Sequence, residues 1–186
     1  KIEMTCQLAR EEYLEYAWVD TCCIDKSSSA ELTESINSMF KWYSQADICC
    51  AFLADWKPED SNFTHCKWFT RGWTLQELLP SKDVIFYDLN WQPRGTKRDL
   101  CAEIAQVSGI IESVLTGETE LTDVPVAVRM SWAASRITTR EEDMAYSLLG
   151  IFDINMTMIY GEGNKAFQRL QQEIIQSTND LSIFAW

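Results

Sequence analysis

Apolar positions along this chain follow two spacings in alternation. In residues 1–15, Ile2, Cys6, Ala9 and Tyr13 fall on one stripe, which predicts a helix. Tyr16-Ala17-Trp18-Val19-Asp20-Thr21-Cys22-Cys23-Ile24 is nearly continuous in apolar character and predicts a buried strand running into the polar Asp25-Lys26-Ser27-Ser28-Ser29. Ser28-x-x-Glu31 has capping-box spacing, and Leu32, Ile36, Met39, Phe40 and Tyr43 then recur at helical intervals up to Ala46. Ile48 to Leu53 reads as the next strand. A polar stretch from Asp55 to Lys67 follows, long enough to suggest a lid or binding loop. Thr70 to Pro80 reads as a short helix, with Thr70 as its cap and Pro80 as its stop. Val84-Ile85-Phe86-Tyr87 is a further strand.

Helix, strand, helix, strand, helix, strand over residues 1–88 predicts an α/β fold: an open parallel sheet with helices on both faces. A series that opens on a helix implies a strand before it. That strand would be central in a flavodoxin-like order, so its absence predicts poor stability for the chain by itself. Trp91 to Arg98 reads as a loop, Leu100 to Val107 as a helix, Ile110 to Leu115 as an ambiguous apolar segment, and Gly117 to Val124 as a connector. From Pro125 the pattern is helical. Val126 to Ala134 is one helix. Thr139-x-x-Glu142 opens another that runs through Leu149, with Gly150 near its stop. Tyr160 to Asn164 is a turn, the last helix carries Phe167, Leu170, Ile174 and Ile175, and Leu181 to Trp186 is an apolar tail. The chain thus divides into an α/β domain over 1–124 and a helical part over 125–186.

Composition narrows the function classes. A chain of 186 residues with 46% apolar residues has material for a real core. The net charge of −12 argues against nucleic-acid binding and against docking on anionic membranes, which both want a basic face. No apolar run is long enough for a transmembrane helix, and no signal peptide is present. Seven cysteines occur without a C-x-x-C, and His65 is the only histidine, so a metal site is not expected. Cys22-Cys23 and Cys49-Cys50 lie in strand-like runs, where neighbours point to opposite faces. They read as buried, reduced thiols of a cytoplasmic protein. Gly95-Thr96-Lys97 fails the P-loop order, and Gly161-Glu162-Gly163 reads as a helix-entry turn.

The candidate chemistry lies in Thr70–Pro80. Trp73 and Glu77 are four residues apart and share a helix face. In a βαβ crossover that face lies near the carboxyl ends of the strands, where open α/β sheets bind ligands. Asp20 and Asp25 flank the end of an adjacent predicted strand. They are either turn and cap residues or contacts for ligand hydroxyls.

Three stretches resemble the fungal heterokaryon-incompatibility (HET) domain: Tyr16 to Asp25, Ser35 to Phe40 with Trp42-Tyr43, and Arg71-Gly72-Trp73-Thr74-Leu75-Gln76-Glu77-Leu78-Leu79-Pro80. Thr139 to Phe152, Tyr160-Gly161-Glu162-Gly163 and Ala166 to Gln171 resemble the segment that follows that domain. The family's usual opening strand is missing, as the alternation also implies. The resemblance implies an effector of non-self recognition that triggers programmed cell death. It would sit in the cytoplasm, within a longer chain carrying receptor, NTPase or repeat domains, and it would be capable of self-association. HET domains are in turn remotely similar to TIR domains, which share a flavodoxin-like fold. Some TIR domains cleave NAD with a glutamate in a Trp-Cys-x-x-Glu-Leu type segment. Trp73-Thr74-Leu75-Gln76-Glu77-Leu78 is similar, departing at Thr74. On that resemblance Glu77 is the catalytic candidate. Trp73 would stack on a ring or pack beside the pocket, Asp20 would bind hydroxyls and Arg71 would meet a phosphate. NAD would be substrate rather than cofactor. The competing reading is a non-catalytic signalling module.

Overall fold

A computed structural model describes residues 1–185. The first helix, α1 (Ile2–Glu11), carries Ile2, Cys6 and Ala9 of the predicted stripe but stops before Tyr13, which is exposed at a positive φ of 57°. Ser28 caps α2 (Ser29–Gln45): its hydroxyl accepts the Glu31 N–H at 3.3 Å, and Ile36 and Met39 are buried beneath. Glu31 does not close the box on Ser28. Its carboxylate accepts the Asp25 N–H at 2.9 Å, which pins the incoming turn instead.

Strands β1 (Cys49–Phe52) and β2 (Val84–Tyr87) pair in parallel, Cys49 opposite Val84 and Phe52 opposite Tyr87. Between them the chain passes through a 3-10 turn, Lys67–Thr70, and α3 (Thr74–Leu78), so the βαβ crossover stands. The sheet itself is mixed rather than parallel throughout. A third strand, β3 (Pro93–Thr96), pairs antiparallel with β2 in the stretch expected to be a loop. Asp88 makes this hairpin. Its Oδ1 accepts the N–H groups of Asn90 and Gln92 at 2.9 and 3.1 Å, and its Oδ2 meets Arg94 at 3.1 Å. A side-chain-built turn of this kind carries strand residues that propensity alone rejects.

The strand expected over Tyr16 to Ile24 does not form. Val19 and Ile24 are buried, but residues 20–24 are turn and bend. The carbonyl of Val19 accepts both the Cys22 and Cys23 N–H groups, at 3.1 and 2.9 Å. Those amides are spent locally and cannot join a ladder. β1 is consequently an edge strand, in the order β1-β2-β3.

The polar loop 55–67 is not a loose lid. Trp56, Phe63 and Cys66 are buried in it, Trp56 Nε1 donates to the Asp60 carbonyl at 3.1 Å, and Phe63 packs on Phe69 and Phe86. Its polarity belongs to the outer face, and its aromatics anchor it across β2.

Beyond the sheet come α4 (Cys101–Ser108), α5 (Glu112–Leu115), α6 (Val126–Ser131), α7 (Glu142–Tyr146), α8 (Leu149–Phe152) and α9 (Lys165–Ser177), then a 3-10 turn, Leu181–Phe184. Two expectations change here. Thr139 does not cap a helix. Glu142 instead turns its carboxylate to the Gly161 and Gly163 N–H groups, at 2.7 and 3.0 Å. The single helix expected through Leu149 is broken between α7 and α8, and Gly150 lies inside α8 against Phe40 of α2. The tail reading for Trp186 lies outside the described residues.

One core joins all of this. Ile36, Phe86, Trp132, Tyr146 and Leu170 belong to the same buried cluster. Asn37 of α2 clamps the backbone of Met156 from both sides, donating to its carbonyl at 2.9 Å and accepting its N–H at 3.0 Å.

Candidate functional site

The stretch from Cys66 to Pro80 is held from three directions. From below, Trp68 and Phe69 are buried against the aromatic cluster of β2. From the C-terminal part, Ile137 runs alongside as a parallel bridge partner of Arg71. The Ile137 N–H reaches the Thr70 carbonyl at 2.7 Å, and the Gly72 N–H reaches the Ile137 carbonyl at 3.0 Å. A Cβ on Gly72 would lie 2.5 Å from Thr138 Cγ2, so only glycine permits this approach. Arg136, 4% exposed, reaches in behind: its guanidinium donates to the Arg71 carbonyl at 2.9 Å and to Thr74 Oγ1 at 2.7 Å. Thr70, expected as the cap, spends its hydroxyl on Lys67 O within the 3-10 turn. Thr74 sits with its own hydroxyl 2.7 and 2.8 Å from the carbonyls of Trp68 and Arg71. At the far end the Lys97 ammonium donates to the carbonyls of Leu78 and Ser81, covering the C-terminus of α3 as a cation should. That contact explains the lysine of Gly95-Thr96-Lys97, which binds backbone oxygens rather than phosphate.

Held in this way, Glu77 faces a cleft of about 1020 Å³. The walls are α1, the 13–20 segment, the C-terminal end of α2 and β1, and Tyr87 and Trp91 also line it. Glu77, Asp20 and Arg71 all line it. Glu77 Oε2 accepts the Trp68 indole N–H at 3.3 Å. Burial among apolar atoms pushes the Glu77 carboxyl above the ordinary range. The charge of Asp20 pushes the same way, while Arg71 and the Trp68 bond pull back. The Tyr43 hydroxyl, also facing the cleft, is raised by burial first and by Glu77 second. Trp18 stacks edge-on against Trp42 and Tyr43, at 5.5 and 5.7 Å, as an aromatic wall.

Three of the four residues singled out in the sequence therefore come together. Trp73 does not join them. It precedes α3, packs against the core beside Asp143 of α7 and does not line the cleft; the Asp143 carboxyl accepts the Tyr160 hydroxyl at 2.9 Å. Asp20 reaches the cleft from a turn rather than from a strand tip. Asp25 forms the expected turn, its Oδ1 accepting both the N–H and hydroxyl of Ser27. Sequence reasoning missed Trp68, Tyr43 and Arg136. Tyr43 sits on the buried stripe of α2 and looked like core. Arg136 carries no readable signal, since beyond the Trp132 carbonyl its partners are the distant Arg71 and Thr74.

The cysteines differ in setting. Cys49 is buried, and desolvation pushes its thiol up to about 12, as a structural thiol. Cys22 and Cys23 are exposed and side by side in a turn, contrary to the expectation of buried neighbours on opposite faces of a strand. The cause is the same local use of the Val19 carbonyl that stops the strand.

Fold and cleft together define a mixed α/β protein with a carboxylate-bearing, aromatic-walled cleft. The heterokaryon incompatibility protein (HET) family model matches residues 1–65, and a domain of unknown function (DUF8212) matches residues 165–186. Vegetative incompatibility protein HET-E-1 of Podospora anserina is 45% identical over an alignment of 185 positions that covers 94% of this chain. The chain spans 14% of the length of that relative. No solved structure matches. Residues 1–65 carry the match to the heterokaryon incompatibility (HET) family, and the likeness to HET-E-1 runs over most of the chain. No helix among the described residues is long and apolar enough to cross a membrane.

Proposed function

We propose that this chain is the effector part of a longer heterokaryon incompatibility protein. In this reading it triggers programmed cell death after non-self recognition in the cytoplasm, by cleaving NAD in the Glu77 cleft. Receptor, NTPase or repeat domains of the parent chain would control it. The family match and the vegetative incompatibility relative support the incompatibility role. The observation that carries the chemistry is the convergence of Glu77, Asp20 and Arg71 on one cleft with aromatic walls.

The demanding step in NAD cleavage is departure of nicotinamide. It leaves neutral, and positive charge develops on the ribose. A carboxylate beneath the sugar stabilises that charge. Glu77 suits the task because its anion is poorly compensated at rest. Burial and Asp20 disfavour it, and a cationic sugar relieves both. In this reading Asp20 would hold ribose hydroxyls and Arg71 would meet a phosphate; both line the same cleft as Glu77. Trp73 packs against the core and does not line this cleft, so in this reading its role is to support the segment. Activity should fall as pH falls through the raised Glu77 pKa, since the anion is the working form.

The test is NAD consumption by the full-length protein, wild type beside Glu77→Gln. Turnover in the first and a loss of at least ~100-fold in the second supports the reading. Equal activity in both sinks it. No turnover in either, from folded and assembled protein, moves the weight to a non-catalytic module that signals by self-association. One observation favours that second reading: β1 is an edge strand whose outer side carries no strand partner among the described residues.

A further inference from the structure

We propose that Cys22 and Cys23 form an oxidisable dithiol, which a peroxide closes to a vicinal disulfide, and that closure reshapes the turn carrying Asp20. The proposal does not depend on NAD chemistry.

Four observations converge. Both cysteines are exposed, and their sulfurs lie 3.9 Å apart. Both thiols are also bonded to one residue: Cys23 Sγ accepts the Val19 N–H at 3.4 Å, and Cys22 Sγ donates to the Val19 carbonyl at 3.6 Å. The backbone of the turn hangs on that same carbonyl, through the Cys22 and Cys23 N–H groups. Val19 is followed by Asp20, and both line the Glu77 cleft. Drawing the sulfurs from 3.9 Å to a bond length of about 2.05 Å therefore pulls both off Val19 and turns Asp20 with it.

The chemistry balances with one peroxide. A thiolate of the pair attacks a peroxide oxygen; the O–O bond breaks, hydroxide leaves and a sulfenic acid forms. The second sulfur attacks that sulfenic sulfur; the S–O bond breaks, the S–S bond forms and the oxygen leaves as water. Two thiols lose two electrons and two protons, and one hydrogen peroxide becomes two waters. The product is labile by construction. Adjacent Cα atoms are about 3.8 Å apart, below the ~4.4–6.8 Å that unstrained disulfides span. A strained, exposed disulfide has a high reduction potential and reopens readily in a reducing compartment. Such a bond is a switch, not a staple.

The experiment uses the full-length protein, reduced and then exposed to hydrogen peroxide, with free thiols alkylated before digestion. The peptide carrying residues 22–23 should lose two hydrogens, escape alkylation and recover both on treatment with dithiothreitol. Cys22→Ser or Cys23→Ser should each abolish the change. Both side chains are exposed, so serine leaves the core intact. Amide exchange over residues 16–24 should quicken several-fold on oxidation of the wild type and stay unchanged in either variant. A stable sulfinic acid, a bridge to Cys6, a bridge between chains or full alkylation of both sulfurs overturns the dithiol. Disulfide formation with unaltered exchange over residues 16–24 overturns the coupling to Asp20.

Discussion

Gly150 is where α8 crosses α2. An added Cβ would lie 2.1 Å from Phe40 Cβ, 2.4 Å from Cγ and 2.8 Å from Cδ2. Carbon atoms rest at about 3.5–4.0 Å, so the overlap is roughly 1.5 Å. The backbone at Gly150 is helical and lacks the positive φ that would forbid alanine. Gly150→Ala should thus gain ~0.5–1 kcal/mol from reduced chain entropy and better helix propensity. Overpacking costs ~1–3 kcal/mol or more, because α2 and α8 must part or Phe40 must leave its rotamer. The net expectation is a loss of about 1–2 kcal/mol, or roughly 2–8 °C in melting temperature for a chain of this size. The clash includes Phe40 Cβ itself, which gives a second test. Phe40→Ala keeps that atom and should not rescue Gly150→Ala. Phe40→Gly removes it and should restore part of the loss, despite glycine's own cost in a helix. Thermal melts of Gly150→Ala, Phe40→Ala, Phe40→Gly and the two double variants, each double read against its Phe40 single and followed by far-ultraviolet circular dichroism, settle the matter. A Gly150→Ala protein that melts at or above the wild-type temperature refutes the close-approach argument, as does rescue by Phe40→Ala.

Two other outcomes follow from the site. Glu77 has a raised pKa in the fold, so the folded state holds its proton to a higher pH than the unfolded chain, and stability falls as pH rises from the ordinary carboxyl range through that raised value. Glu77→Gln should therefore be more stable than wild type near neutrality, with the gap closing in acid; urea titrations across pH check this, and a less stable glutamine variant at neutral pH contradicts it. Arg136→Met should cost about 2–4 kcal/mol, because the Arg71 carbonyl and Thr74 Oγ1 lose a charged donor in a buried setting. Arg136→Lys should not restore it, since an ammonium lacks the planar fork that reaches Arg71, Thr74 and Trp132 together. A denaturation midpoint for Arg136→Lys equal to wild type would show that charge alone suffices.

Local patterning determined the elements whose cause is local. The stripe Leu32, Ile36, Met39 and the hydroxyl of Ser28 specify α2 wherever it lies, because a helix closes its hydrogen bonds within itself. β1 and β2, their parallel pairing and the crossover through α3 were legible for a similar reason: two short apolar runs flank a segment bounded by Pro80. Glu77 was legible as a candidate from its place in that crossover. Tertiary structure decided everything that needs a distant partner. A strand exists only with a neighbour, so Pro93–Thr96 became β3 beside β2, and Tyr16–Ile24, its amides taken by Val19, became a turn. That turn carried Asp20 into the cleft and set Cys22 beside Cys23. Trp73 was drawn to the core rather than to the cleft, and the central segment was fixed by Arg136 from the far part of the chain. Periodicity records which face of an element is buried; it holds no record of what that face will meet.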